Sequence, residues 1–115
     1  MTTLLVLYRA PEGGDEALAA LEARYRDDHL PLVAGTPGLR ATRVWRVNGA
    51  LGGETDLVLA AAMDFDDRAA LDEGLRSEPM RAAGKVLREI APGLATFLVL
   101  EDAADLLGVG GPADA

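Results

Sequence analysis

The hydrophobic and polar positions of this 115-residue chain divide into short apolar runs and stretches with helical spacing. Apolar runs rich in β-forming residues and closed by Gly, Pro or Asn predict strands. Four such strands are predicted, at residues 2–9, 39–47, 56–65 and 94–100. Leucine and aromatic residues spaced three and four apart predict helices in the segments between them.

The first helix begins at Asp15 and Glu16, because negative charge stabilises the N-terminal end of a helix. Four of its residues recur at spacings of three and four and share one face: Leu18, Leu21, Tyr25 and His29. Pro31 lacks a backbone donor and disfavours helical geometry in the residue before it, so a kink or break is predicted near Leu30.

Two further helices are predicted between the third and fourth strands. Asp66 or Asp67 is placed to cap the first of them, which carries Leu71 and Leu75, and Ser77 is placed to cap the second. The second carries four apolar residues at helical spacing: Ala83, Val86, Leu87 and Ile90.

The element order is strand, helix, strand, strand, helices, strand. This order is typical of the ferredoxin-like βαββαβ fold, an α+β architecture in which helices cover one face of a four-stranded antiparallel sheet. We predict one such domain over residues 1–103. Residues 104–115 are predicted to form a loose C-terminal tail, because their end is rich in Gly and Pro.

Three of the predicted strands are apolar on both faces. An antiparallel sheet with one face in water should instead alternate apolar and polar residues. A chain of this length has no further element to cover the second face, and a second copy of the same sheet is the simplest cover. The pattern therefore predicts a homodimer packed sheet against sheet.

Charge and composition narrow the function classes. A formal net charge of -8 argues against nucleic acid and against an anionic membrane surface as partners. The basic residues are scattered, with Arg40, Arg43 and Arg46 the nearest approach to a patch. The chain has no cysteine, which excludes disulfides and thiolate chemistry. Its first apolar run is too short for a signal peptide or a membrane span, so a cytoplasmic location is expected.

His29 is the single histidine and the one group whose ordinary pKa suits proton transfer near neutral pH. On the apolar face of the first helix it would meet a small apolar ligand between helix and sheet. The alternative is a structural residue at a helix end, hydrogen-bonded to a backbone carbonyl or to Asp27 or Asp28. A metal site is not expected, because stable sites need three or four protein ligands and the chain has no second histidine. No nucleotide or other cofactor motif is present.

Trp45 and Arg43 share one face of the second strand. The strand is half polar, which is typical of a sheet edge. Trp45 is interpreted as core, since a lone tryptophan in a small domain is usually packed inside, with a ligand or partner contact as the alternative. Arg43 is interpreted as a solvated arginine, with a role in orienting a carboxylate or phenolate as the alternative.

The segment between the first helix and the second strand resembles the EthD family. The resemblance rests on Tyr25-x-x-x-His29-x-Pro31-Leu32 followed by Pro37-Gly38-Leu39. Further similarities lie at the ends of the third and fourth strands: Met63-Asp64-Phe65-Asp66 and Leu98-Val99-Leu100-Glu101-Asp102. The likeness spans about residues 2 to 102.

This resemblance implies a dimeric α+β barrel with a ligand pocket between sheet and helices. Relatives on the scaffold include cofactor-free monooxygenases and isomerases, and His29 occupies the position of the family's histidine. The implied function is binding of a small apolar or aromatic metabolite, with His29 as acid or base, Tyr25 positioning it, and Arg43 and Trp45 as ligand contacts. A non-catalytic, stress-linked binding module and a regulatory dimerisation domain are the alternatives.

Overall fold

The computed structural model describes residues 1–108 and confirms the predicted order of elements. The strands are β1 (Thr2–Arg9), β2 (Ala41–Arg46), β3 (Leu57–Phe65) and β4 (Ala95–Glu101). The helices are α1 (Gly14–Arg24), α2 (Leu30–Ala34), α3 (Arg68–Arg76) and α4 (Glu78–Ile90), with a π-helical turn over Tyr25–His29 and a 3₁₀ turn over Ala104–Leu107. The helices of residues 1–108 include none that is long and apolar enough to cross a membrane.

The strands form one antiparallel sheet in the order β2-β3-β1-β4. This is the order of the predicted ferredoxin-like fold, and β2 is an edge strand as its half-polar pattern predicts. In the centre, Leu4 of β1 lies opposite Met63 of β3 and Val99 of β4. Residues directly opposite in an antiparallel ladder share a face, so this register assigns every strand residue to the helix side or the other side.

The core lies between the sheet and the helices. Leu4, Val6 and Tyr8 of β1 point to this side and are 6 %, 1 % and 1 % exposed. Buried residues from the helices and from β3 complete the core: Leu21, Tyr25, Val33, Leu59, Ala61, Met63, Phe65, Leu71, Ala83, Leu87 and Ala91.

No helix of residues 1–108 covers the other side of the sheet, and we call this side the open face. Leu5 and Leu7 of β1 lie on it and pair with Leu98 and Thr96 of β4. The helix-facing and open-face residues of β1 are both apolar along most of the strand, which confirms the predicted two-sided pattern. Leu98 is 42 % exposed and Leu100 is equally so, although both are large and apolar.

Of the predicted kink or break near Leu30, the break does not occur, because the chain remains helical from α1 through α2. The widened turn over Tyr25–His29 explains why. The amide of Leu30 donates to the carbonyl of Tyr25, five residues back, rather than four. A π-helical turn of this kind shifts the backbone by one residue, and so it accommodates Pro31, which has no amide to donate.

The predicted caps are confirmed. The Asp67 carboxylate accepts from the amide of Ala70 at 2.8 Å and begins α3, while the Ser77 hydroxyl accepts from the amide of Met80 at 3.4 Å and begins α4. Of the predicted loose tail, residues 104–107 form the 3₁₀ turn, and residues 109–115 lie outside the described residues.

Candidate functional site

A cavity of about 1090 Å³ lies between α4 and the helix-facing side of β1 and β4. It exists because the helices cover β1 and β3 more completely than β4. Phe97 lies opposite Val6 and therefore points to the helix side, yet it is 56 % exposed. Val99, opposite Leu4, is 40 % exposed for the same reason.

The inner wall of the cavity is apolar, and two polar side chains, Tyr8 and His29, interrupt it. The apolar lining comes from strands β1, β3 and β4 and from helices α2, α3 and α4: Leu4, Val6, Val33, Met63, Leu75, Met80, Leu87, Phe97 and Val99. Ligand sites in proteins have this character, with a large apolar surface and a few polar groups that fix orientation.

His29 is 5 % exposed, and its Nδ1 atom lies 2.9 Å from the carbonyl oxygen of Ala83 in α4. A carbonyl oxygen only accepts, so Nδ1 must carry the proton and donate it. In the neutral ring Nε2 is then unprotonated, and it is the nitrogen left to accept a hydrogen bond or a proton from a ligand. The geometry agrees with both interpretations of His29. Its Nδ1 contacts a backbone carbonyl, as expected of a structural residue, and its ring lies on the cavity wall, where a ligand could reach it.

Burial lowers the pKa of His29 below its ordinary value of 6.5, and the hydrogen bond to the Ala83 carbonyl opposes this effect only in part. The imidazole is therefore neutral at neutral pH. A neutral imidazole with a free Nε2 suits a general base better than a general acid.

Tyr25 supports His29 from behind the cavity wall. The two rings are stacked, with their centroids 4.9 Å apart and an angle of 24° between their planes. The Tyr8 hydroxyl donates to the Tyr25 hydroxyl over a long distance of 3.3 Å, and the two phenol rings meet edge to face. Burial raises the pKa of both tyrosines, so both hydroxyls stay protonated.

The π-helical turn produces the stacking. Tyr25 and His29 stand at its two ends, and both side chains are buried on the side of the core. The predicted shared face of these residues is correct, but the pattern gave no indication of the wider turn. Tyr8 lies within the predicted strand over residues 2–9, and its place among β-forming residues gives no signal of a polar contact to Tyr25.

Arg43 and Trp45 lie away from His29. Both side chains project from the open face of β2, with the Arg43 guanidinium carbon 5.1 Å from the centre of the Trp45 ring. Trp45 is 42 % exposed, so the interpretation of this residue as core is wrong for the single chain. Neither residue is among those that line the large cavity, although Trp45 and Tyr25 both border a smaller cleft of about 230 Å³ beside β2.

The arginines in and just before β2 do not form the basic patch that their spacing suggested: Arg40, Arg43 and Arg46. Arg40 forms an ion pair with Asp66, and Arg46 with Glu22. The basic residues that do converge are Arg76 of α3 and Arg81, Lys85 and Arg88 of α4, which line the cavity at its outer edge. Sequence reasoning missed them, although the spacing of four and three within α4 places three of them on one helix face.

Residues 1–108 hold no group of three or more His, Asp or Glu side chains placed to bind a metal ion. The polar chemistry that this part of the chain brings to the cavity comes from one imidazole, one phenol and a set of charged side chains at the edge.

The four-stranded sheet and its order define a ferredoxin-like α+β protein, with an apolar cavity between the sheet and α4. No protein-family model and no curated protein sequence matches the chain. Among solved structures, it is similar to an EthD (ethyl tert-butyl ether D) family protein from Bacillus halodurans C-125, with 32 % identity, a TM-score of 0.81, and coverage of 90 % of this chain and 99 % of that one. The chain belongs to the EthD family, as the residues around His29 predict.

More distant structures share the fold. A dimeric ferredoxin-like protein of unknown function from Jannaschia sp. CCS1 has 19 % identity and a TM-score of 0.66, with coverage of 89 % of this chain and 100 % of that one. A cofactor-independent oxygenase from Streptomyces nogalater has 15 % identity and a TM-score of 0.59, with coverage of 88 % and 91 %.

Proposed function

We propose that this protein is a homodimer that binds a small apolar or aromatic metabolite in the cavity between α4 and the sheet, and acts on it with His29 as the base. The observation that carries the proposal is an imidazole on the wall of an apolar cavity, with its Nδ1 held by the Ala83 carbonyl. The cytoplasmic location stays a prediction from the sequence.

The size and lining of the cavity support a small-molecule ligand. Its volume of about 1090 Å³ lies just above the usual range of ligand pockets, which is roughly 300 to 1000 Å³. Exposed Phe97 and Val99 on its floor would gain from being covered, at about 25 cal/mol for each Å² of apolar surface removed from water.

The geometry of His29 supports proton transfer. Nε2 would accept a proton from an acidic C–H or a phenolic O–H of the bound molecule, and the carbanion or phenolate would remain in the cavity. Returning the same proton to another carbon completes an isomerisation without a further reactant. Oxygenation would instead require molecular oxygen as a second substrate, the chemistry named for the Streptomyces nogalater relative.

The dimer is supported by the open face of the sheet. The open face carries an apolar surface that no helix in the described part of the chain covers: Leu5, Leu7, Leu98 and Leu100. The Jannaschia relative and others on this fold are described as dimeric. A second copy on the open face would bury these leucines and Trp45 together.

Proton abstraction is tested with α-tetralone, an apolar aryl ketone, by following exchange of its α-protons in D2O by NMR. The expected result is faster exchange with the wild-type protein than in buffer, and loss of that gain in His29→Ala. His29→Gln keeps a donor for the Ala83 carbonyl and is the matched control for structure; it should also lose the exchange.

A second variant separates catalysis from binding. Gly84 lines the cavity from the middle of α4, so Gly84→Leu would place a side chain inside the cavity without disturbing His29. If α-tetralone binds and Gly84→Leu weakens its binding, but the wild-type protein exchanges the α-protons no faster than buffer, the protein is a non-catalytic binding module. Accelerated exchange that survives in His29→Ala overturns the role of His29 as the base.

A further inference from the structure

Four cationic side chains surround the outer edge of the cavity, and we call them the basic rim: Arg76, Arg81, Lys85 and Arg88. Arg81, Lys85 and Arg88 follow one another at spacings of four and three along α4, so they form one stripe of that helix. Arg76 ends α3 immediately before the Ser77 cap of α4. The basic rim is therefore built from two helices, α3 and α4, at the mouth of one cavity.

Arg88 turns back toward this mouth. One of its terminal guanidinium nitrogens lies 3.5 Å from the position that a Cβ would take on Gly84, one turn earlier on α4. Because Gly84 has no side chain, the guanidinium lies over the helix surface that lines the cavity. The charge of Arg88 is thus held at the edge of the cavity and not directed away from the domain.

The basic rim is unpaired, whereas most of the arginines outside it pair with a carboxylate. Within residues 1–108, Arg24, Arg26, Arg40, Arg46 and Arg68 each form an ion pair with a carboxylate, whereas no member of the rim does. The lining of the cavity includes one carboxylate, that of Glu78. Four cations against one anion at this mouth contrast with a net charge of -8 for the whole chain.

We propose that the ligand of this cavity is a small organic acid, with its apolar or aromatic body in the cavity and its anionic group among the basic rim. This proposal rests on the proposed function, since it assigns a charge to the same ligand. An anion at the mouth would offset the mutual repulsion of the four cations. The apolar wall beside them lowers the local dielectric constant and strengthens the attraction.

The test compares two fluorescent probes with the same ring system and different charge. Anilinonaphthalene sulfonate is anionic, and N-phenylnaphthylamine lacks the sulfonate. The wild-type dimer is expected to bind the sulfonate at least about fivefold more tightly than its neutral analogue, since two or more partly exposed ion pairs contribute at this level. Added salt at about 0.1 M should reduce this difference.

Matched charge variants locate the effect. Arg81→Gln with Lys85→Gln should lose most of the preference for the sulfonate while still binding N-phenylnaphthylamine. Arg26→Gln with Arg68→Gln removes the same charge from outside the cavity and should keep the preference. Gly84→Leu keeps every charge and should weaken the binding of both probes.

The outcomes separate this proposal from the one before it. Binding of N-phenylnaphthylamine that Gly84→Leu weakens, without any preference for the sulfonate, overturns the organic acid and leaves the apolar ligand. A preference that survives in Arg81→Gln with Lys85→Gln, or sulfonate binding unaffected by Gly84→Leu, also overturns the organic acid. Failure of both probes to bind overturns both proposals.

Discussion

The Nδ1 atom of His29 lies 2.9 Å from the carbonyl oxygen of Ala83, and this contact joins the π-helical turn to α4 across 54 positions of the chain. Ala83 is fully buried, and its small side chain lets the two helices approach. The contact fixes the tautomer of the one histidine and places it on the cavity wall. Fold stability and candidate chemistry therefore depend on the same hydrogen bond.

Stability should fall in mild acid because of His29. Burial lowers its pKa in the folded protein below the ordinary 6.5, so in the interval between the two values the unfolded chain binds more protons. The His29 contribution is complete above about pH 6.5 and is lost as the pH falls through the lowered pKa. Urea denaturation at a series of pH values, with wild type and His29→Gln, measures it.

The difference in free energy of unfolding between the two proteins should shrink below about pH 6.5 and stay constant above it. Because the sequence has a single histidine, nitrogen NMR of the imidazole reports the same titration directly. A ring with its proton on Nε2 would contradict the contact between Nδ1 and the Ala83 carbonyl. A pKa at or above the ordinary value would contradict the effect of burial.

Tyr25 should stabilise the domain through its ring more than through its hydroxyl. Tyr25→Phe keeps the stacking on His29 and loses only the long contact to the Tyr8 hydroxyl, so a loss of about 1 kcal/mol or less is expected. Tyr25→Ala removes a buried ring and should cost about 3 to 5 kcal/mol. Denaturant unfolding checks both, and equal losses would show that the hydroxyl contact is the important one.

The open face should control assembly. Leu5 and Leu98 lie directly opposite each other on that face, and Leu98→Lys would place a charge in the centre of the proposed interface. We expect this variant to sediment as a monomer of 12.0 kDa at concentrations where wild type is a dimer. Leu106→Lys is the control, since Leu106 lies outside the sheet and is 82 % exposed; a monomeric wild type would refute the dimer.

Two helical glycines should respond in opposite ways to alanine. A Cβ on Gly74 of α3 would lie 2.9 Å from Phe65 and 3.1 Å from Thr36, both packed in the core. A Cβ on Gly84 of α4 would meet only Arg88, a flexible side chain, at 3.5 Å. Gly84→Ala should therefore stabilise the protein by up to about 1 kcal/mol, the usual helix preference of alanine over glycine.

Gly74→Ala should instead destabilise the protein by about 1 to 3 kcal/mol. The free-energy cost of overpacking at buried Phe65 exceeds the gain from the helix preference of alanine. Thermal unfolding of the pair of variants measures both signs. A stabilising Gly74→Ala would mean that Phe65 and Thr36 can shift without cost.

Much of the fold could be predicted from local patterns. Strand alternation assigned the two faces of β1, and short-range chemistry assigned the caps, since Asp67 and Ser77 bond to amides three residues away. The continuation of the helix past Pro31 was not predictable in this way, because an α-helix and a π-helical turn differ by one backbone hydrogen bond. The side chains around Tyr25 and His29 decide between them by packing.

The candidate site, too, could be predicted from local patterns only in part. His29 and Tyr25 lie four residues apart, so their shared face follows from helical spacing alone. Arg43 and Trp45 also share a face, but which face meets the helices depends on the register of β2 with β3. That register places both residues on the open face.

By itself the sequence determined the order of the elements, the two-sided apolar strands and the family, because these depend on periodicity and on residues close together in the chain. The tertiary structure decided where α4 leaves β4 uncovered, that Ala83 is the partner of His29, and that four cations from two helices meet at one cavity mouth. Each of these joins residues far apart in sequence, and only the packing of helices on the sheet fixes such distances.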